Sequence, residues 1–294
     1  MNDRRTERPV LGSGLALFGG VLMGCVGVAG KFGALAGLSP FQMLAAQVSL
    51  LVPLSGVALY WRHGARGFVP NRPWVLVART VAGFVYFASF YASLRGISVA
   101  DALVLESTNP FFAMLITSVL YGHRHSRASI GMAILAFGGV CLILLVHDTK
   151  SLVNPYSLFA LLAGVGRASG SIATGVAGKT EPPERIIFFY TLGMLVFSAA
   201  MLPSQWHSVD GVEWWILVAP ALLFVPQNVV YTVANRLIPA YLVGALFYSA
   251  IVVGMAADHF LWGTEVGARG LIGTVLVVAA GIGLVVVRAR ESEH

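Results

Sequence analysis

Val28-Ala29-Gly30-Lys31 ends the first long apolar run of the chain, and Val176-Ala177-Gly178-Lys179 ends the sixth. Each quartet follows a glycine-rich apolar stretch. A second pair points the same way: Leu120-Tyr121-Gly122 ends the fourth run and Leu261-Trp262-Gly263 the ninth. Each is followed by a further glycine-bearing apolar run, with Gly138-Gly139 in one and Gly281 in the other, and Arg95 and Arg236 stand at the same separation as the closing glycines. The chain therefore divides into two repeats, residues 1–150 and 151–294, each holding five apolar runs.

The runs are long enough to cross a bilayer. A hydrocarbon core about 30 Å thick takes roughly 20 helical residues. Runs bounded by Pro, Gly or charge lie near 10–32, 40–61, 73–94, 99–121, 127–147, 155–178, 184–202, 212–235, 240–262 and 268–288. Of the 294 residues, 57% are apolar and only 11% charged, with a mean hydropathy of +0.80, whereas a soluble domain carries about 25% charged residues. Ten crossings leave little chain for a soluble domain. Because five is odd, the second repeat enters the membrane in the opposite sense to the first. The predicted fold is an all-α membrane protein of ten transmembrane helices in two inverted five-helix repeats.

Charge sets the orientation. With the N-terminus in the cytoplasm, 13 basic residues face inward: Arg4, Arg5, Arg8, Arg62, Arg66, Arg72, Arg124, Arg127, Lys179, Arg185, Arg236, Arg288 and Arg290. The outer side receives four, Lys31, Arg95, Lys150 and Arg269. The positive-inside rule then places both termini in the cytoplasm. The net charge of +6 is scattered between apolar runs and gathers on no soluble face, so topology explains it and nucleic acid does not. Arg4 to Arg8 before an apolar run imitates a signal peptide, and Leu22-Met23-Gly24-Cys25 faintly resembles a lipoprotein cleavage box. The first run has a partner in the second repeat and is read as retained. Cys25 and Cys141 lie inside apolar runs without CxxC spacing and read as structural.

Ionisable groups within spans are costly and mark sites or ties. Arg167 lies about twelve residues into the sixth span, too deep to reach either interface easily. Glu106 falls in Leu105-Glu106-Ser107-Thr108-Asn109-Pro110, beside three polar side chains and a proline that frees a backbone carbonyl. The two charges can pair as a structural tie between helices or as part of a solute site. Arg79, about six residues into the third span, can snorkel to the inner interface or face the same site. Pro220, Pro226, Gln227 and Asn228 in the eighth span resemble a hinge beside a site. Tyr86, Phe87, Phe90 and Tyr91, with Tyr231 and Tyr248, can wall a cavity or simply pack. Asp258 and His259, near the outer end of the ninth span, can exchange protons or simply be hydrated, and hydration is the reading taken. Gly20xxxGly24, Gly33xxxGly37 and Gly166xxxGly170 predict close helix contacts. No phosphate loop, HExxH or GxSxG occurs, which argues against ATP-driven pumping and common hydrolase chemistry. No metal or other cofactor is implied.

Arg79, Gly83, Phe90-Tyr91-Ala92, Leu94, Ala100-Asp101-Ala102, Pro110 and Gly122 resemble the EamA-type repeat of the drug/metabolite transporter superfamily, and ten spans fit that resemblance across essentially the whole chain. In such transporters a glutamate usually follows the glycine closing the fourth and ninth spans. Here His123 stands in the first place and Glu265 comes one residue late in the second. The proline common in the ninth span corresponds to Ile251, and Glu106 stands where a hydroxyl or apolar residue is more usual. The resemblance implies a secondary transporter rather than an enzyme, moving a small polar metabolite across the inner membrane by alternating access, with export the expected direction.

An amino acid or related zwitterion suits a site with both charge signs: Glu106, Arg167, Arg79, Asn109, Asn228, Tyr86 and Gln227, with protons as a candidate coupling ion. The expected partners are the small-molecule solute and the lipid bilayer, with the chain a monomer or homodimer. A membrane receptor, or an intramembrane enzyme without net solute flux, is the alternative.

Overall fold

The structure is a computed structural model that describes residues 9–122, 126–144, 154–237, 243, 246–264 and 267–291. His123, Arg124, Lys150, Glu265 and the N-terminal arginines lie outside the described residues, as do the side chains of Arg236, Arg288 and Arg290. Among the described residues the chain is helical, with no strand. The helices are α1 (Pro9–Leu35), α2 (Pro40–Ser49), α3 (Leu51–His63), α4 (Pro73–Ser93), α5 (Val99–Glu106), α6 (Asn109–Tyr121), α7 (Arg127–Leu144), α8 (Pro155–Ala177), α9 (Pro183–Met201), α10 (Glu213–Leu237), α11 (Ser249–Trp262) and α12 (Ala268–Glu291). Seven apolar segments are long enough to cross a membrane: Val10–Leu35, Pro40–His63, Pro73–Ser93, Val99–Tyr121, Pro155–Ala177, Pro183–Ser204 and Glu213–Tyr231. Three shorter apolar helices, Arg127–Leu142, Ser249–Trp262 and Ala268–Leu284, complete the ten expected crossings.

Local chemistry starts these helices. Proline opens α2, α4, α8 and α9, where its missing N–H is not needed and its fixed φ suits the first turn. Ser39 and Gln42 form a reciprocal capping box at α2, and Asn154 accepts from the Tyr156 N–H at α8. The second and fourth spans, read as continuous from the sequence, are broken. Pro53 cannot donate to the Ser49 carbonyl, and the chain leaves α2 for α3 at Leu50. Pro110 cannot donate to the Glu106 carbonyl, so α5 ends there. The Asn109 side chain donates to that carbonyl instead, at 3.2 Å. The ninth span turns as well, at Phe247–Tyr248, with Val243 and Leu246 helical before it.

The principal neighbours pair one half of the chain with the other: α4 lies along α8, α1 along α10, and α7 along α12. Further pairs are α1 with α11, α5 and α6 with α8, α2 with α10, and α4 with α9. In terms of crossings, the third meets the sixth as the first meets the eighth, and the first meets the ninth as the fourth meets the sixth. Small residues permit the closest approaches. A Cβ at Gly166 would lie 2.7 Å from the Tyr86 backbone nitrogen and 3.0 Å from the Ala82 carbonyl oxygen, so α4 and α8 are in backbone contact there. Likewise a Cβ at Gly24 would lie 2.9 Å from the Ala250 carbonyl oxygen on α11.

Polar ties close the two ends of the bundle. At the end where α1 begins, here the proximal end, Glu181 accepts from the Arg72 N–H at 2.7 Å and from Arg185 Nη1 at 2.7 Å. Arg185 Nε also donates to the Gly67 carbonyl at 2.6 Å, and Arg62 pairs with Glu184. At the distal end, Lys31 Nζ donates to the carbonyls of Leu94 (2.7 Å) and Ile97 (2.8 Å). Asp258 was expected to be hydrated, yet it is buried. Its carboxylate accepts from the backbone N–H groups of Val99 (3.0 Å) and Ala100 (2.7 Å). A carboxylate over the first turn of α5 satisfies donors the helix cannot use and opposes the positive end of its dipole.

Two stability predictions follow from these contacts. Gly166→Ala pushes α4 from α8 and is expected to cost about 1–3 kcal/mol, lowering the thermal melting point in detergent, whereas Gly175→Ala, with open space at its Cβ, leaves it in place. Asp258→Asn keeps one acceptor and loses the other with the charge, a loss of about 1–2 kcal/mol read in the same assay.

Candidate functional site

Glu106 ends α5 at the break that Pro110 imposes, so its side chain is held where two helix segments meet, and it is 1% exposed. Arg167 comes from the middle of α8, which the Gly166 contact presses against α4. Arg167 Nη1 donates to Glu106 Oε1 and, at 3.5 Å, to the Tyr86 hydroxyl. The Arg167 guanidinium carbon lies 5.6 Å from the centre of the Tyr86 ring, adding a cation–π contact to the ion pair. Glu106 is thus fully enclosed, while the arginine side chain keeps 26% exposure toward the adjoining space.

That space is a cavity of about 440 Å³ among α1, α4, α8, α9 and α10, within the size range of small-molecule sites. On α4 it is lined by Arg79, Gly83, Tyr86 and Phe87, and on α10 by Phe224, Gln227, Asn228 and Tyr231. The α8 wall runs from Arg167 through Gly170, Ser171 and Thr174 to Gly175, about 12 Å along the helix toward the proximal end. Ser171, Thr174 and Gly175 are exposed, so the cavity is open on that side. Distally it is sealed: Phe87 meets Phe224 edge to face at 5.3 Å, Phe90, Tyr91 and Leu94 are buried, and the Tyr91 hydroxyl bonds buried Gln47.

Of the residues singled out from the sequence, Arg79, Tyr86, Arg167, Gln227 and Asn228 share this cavity, and Glu106 stands behind Arg167. Asn109 does not line it, because its amide is used at the α5–α6 break. Arg79 does not reach away to an interface. Its guanidinium carbon lies 3.7 Å from the centre of the Tyr190 ring, and a Cβ at Gly83 or Gly170 would meet Arg79 Nη1 at 2.8 or 3.3 Å. Phe90 and Tyr91 pack. Tyr190, Ser171 and Thr174 were not anticipated. Single polar or aromatic residues in the sixth and seventh spans carry no signal until α9 is known to lie against α4. Among the described residues no cluster of metal-ligating side chains occurs.

Residues 10–145 match the EamA-like transporter family. The pseudopaline exporter CntI of Pseudomonas aeruginosa strain PAO1 is 27% identical over 241 residues, covering 81% of this chain and 80% of that protein. The probable transporter vicT of Bipolaris victoriae is 25% identical over 283 residues, covering 87% and 78%. A crystal structure 20% identical in sequence superposes with a TM-score of 0.65 over 96% of this chain and 99% of its own, which shows the shared fold. With residues 10–145 similar to the EamA-like transporter family and transporters related to it over about four-fifths of its length, the chain is a multi-pass membrane transporter whose first half resembles that family.

Proposed function

We propose that this chain is a secondary transporter that exports a small polar metabolite across the inner membrane by alternating access, through the cavity beside Arg167 and Glu106. The observation that carries this reading is a mid-bundle ion pair opening onto a polar cavity that is open at one end and packed shut at the other. A purely structural tie needs no such space. With the proximal end in the cytoplasm, as the excess of inner arginines favours, the structure is the inward-open state, in which an exporter loads its solute.

Two five-helix repeats of opposite sense, residues 1–150 and 151–294, suit this mechanism. Their support is the neighbour pattern, in which exchanging the first five crossings with the last five maps the principal cross-half pairs onto one another. Two halves with interchangeable surroundings can exchange conformations and so open the site to the distal side. Breaks in the second, fourth and ninth spans supply joints at mid-bundle. The solute class is an amino acid or related zwitterion, since arginine and carboxylate stand together with the amides of Gln227 and Asn228. Export has support in CntI, an exporter by name.

The test is solute counterflow in proteoliposomes, with labelled zwitterionic, anionic and cationic metabolites. Wild type is expected to exchange one charge class. Glu106→Gln and Arg167→Gln each remove a charge-assisted hydrogen bond worth about 1.5–3 kcal/mol and should slow exchange by roughly tenfold to a hundredfold. If folded wild-type protein exchanges none, transport gives way to a receptor without flux. The pair also predicts a melting order: either single variant leaves a charge unpartnered and melts below the double variant Glu106→Gln/Arg167→Gln. The single loss is smaller than the roughly 3–5 kcal/mol of a fully enclosed pair, because Arg167 meets the cavity.

A further inference from the structure

The charges on the cavity do not cancel. Glu106 is committed to Arg167, so that pair presents no net charge to a solute. Arg79 is different: among the described residues no carboxylate lies within ion-pair distance of it, and its buried Nε has no hydrogen-bond partner. The Tyr190 ring beneath it, at 3.7 Å, offers a cation–π contact. Such a contact offsets only part of what withdrawing a guanidinium from water costs. Water in the cavity can supply some of the rest, but the surroundings of Arg79 are shaped around the cation. Tyr190 is the floor of a slot, and Gly83 and Gly170 leave the room in which Nη1 lies. A methyl group at Gly83 would fall 2.2 Å from the Tyr190 ring and 2.8 Å from Nη1. Tyr190 itself is buried, so the slot is fixed from below and free only toward the cavity.

A planar guanidinium seated over a ring keeps N–H groups along its edge, and such an edge grips a carboxylate through two parallel hydrogen bonds. The opposite wall, on α10, adds the amides of Gln227 and Asn228 and the hydroxyl of Tyr231, and α8 adds Ser171 and Thr174. The Asn228 amide already donates to the Phe224 carbonyl and Gln227 Oε1, and the Thr174 hydroxyl to the Gly170 carbonyl; none of these neutral groups adds a charge to the cavity. The carboxylate of the solute is the counter-ion that Arg79 lacks within the protein.

We infer that the transported solute carries one more acid group than amine, giving it a net charge of −1, and that Arg79, held by Tyr190, Gly83 and Gly170, is the residue that selects for it. This rests on the transport reading above and replaces its neutral zwitterion with a solute of one carboxylate in excess, an amino acid with an additional carboxylate or a simple carboxylate. A neutral zwitterion can pair its carboxylate with Arg79 but brings an ammonium for which Glu106, committed to Arg167, is not available, and cationic solutes would add to a positive site.

The test uses the full chain in proteoliposomes and three labelled probes of similar length, L-glutamate (−1), L-glutamine (0) and L-lysine (+1), in counterflow. The wild type is expected to exchange glutamate about tenfold faster than glutamine, with lysine slowest. Arg79→Gln should abolish that preference by slowing glutamate far more than glutamine, and Arg79→Lys should keep the order of preference with weaker discrimination. Monodisperse elution and an unchanged melting profile show that each variant is folded, and the ratio of glutamate to glutamine exchange is the quantity compared. Equal or faster exchange of glutamine or lysine by the wild type overturns the acidic-solute assignment while transport stands. So does an unchanged glutamate preference in Arg79→Gln. Exchange of none of the three by the folded wild type overturns both the assignment and the transport reading on which it rests.

Discussion

A guanidinium in the middle of a bundle of ten crossings cannot be left without a partner, and the surroundings of Arg167 meet that constraint. Its acceptor, Glu106, is enclosed because Pro110 breaks the fourth span where α5 ends, and Asn109 mends the backbone that the break exposes. Gly164 lets α8 approach the Glu106 backbone, where a Cβ would lie 3.2 Å from its carbonyl oxygen, and Gly166 lets α8 touch the backbone of α4. Tyr86, on the same turn of α4, completes the pocket with its hydroxyl and ring. Each of these features makes limited sense alone. Together they hold a charge pair at mid-depth with one side open to a cavity.

The rest of the bundle determines which end that cavity faces. Aromatic packing among Phe87, Phe90, Tyr91 and Phe224 fills the distal half. The distal rim is drawn together by Lys31 and Asp258, which bond backbone groups at the end of α4 and the start of α5. Both are side chain to backbone contacts across helices, so they depend on helix placement and dissolve when helices move. At the proximal end, Glu181 and Arg185 bind the 64–72 connection to the start of α9. A conformational exchange that closes the proximal side must slide helices held by these contacts, whereas the α4–α8 backbone contact can move as a rigid unit.

Much of this was present in the sequence, and for physical reasons. Apolar runs of about 20 residues have few alternatives to spanning helices in lipid, and the described crossings end within about three residues of the positions expected. The Glu106–Arg167 pair was foreseeable because a deep cation needs an acid at its own depth, and few acids lie deep within the spans. The interruptions were harder. Pro53 and Pro110 signalled them, but a proline in a spanning helix can kink or break it, and neighbouring helices decide which. Asp258 defeated a reading by depth alone, since its partners are backbone N–H groups of α5 that become neighbours only after folding. The setting of Arg79 was hidden for the same reason: Tyr190 lies more than a hundred residues away, on a helix whose packing against α4 no local pattern announces.

The most direct test of a central site open to one side is accessibility of a single cysteine at Ser171 on the cavity wall, in a variant with Cys25 and Cys141 replaced. A membrane-impermeant thiol reagent is applied to sealed vesicles of known orientation. Modification from the side bearing the start of α1, slowed by a transported solute, is the predicted result. No modification from that side of a folded variant, or equal modification from both sides unaffected by any solute, would contradict it.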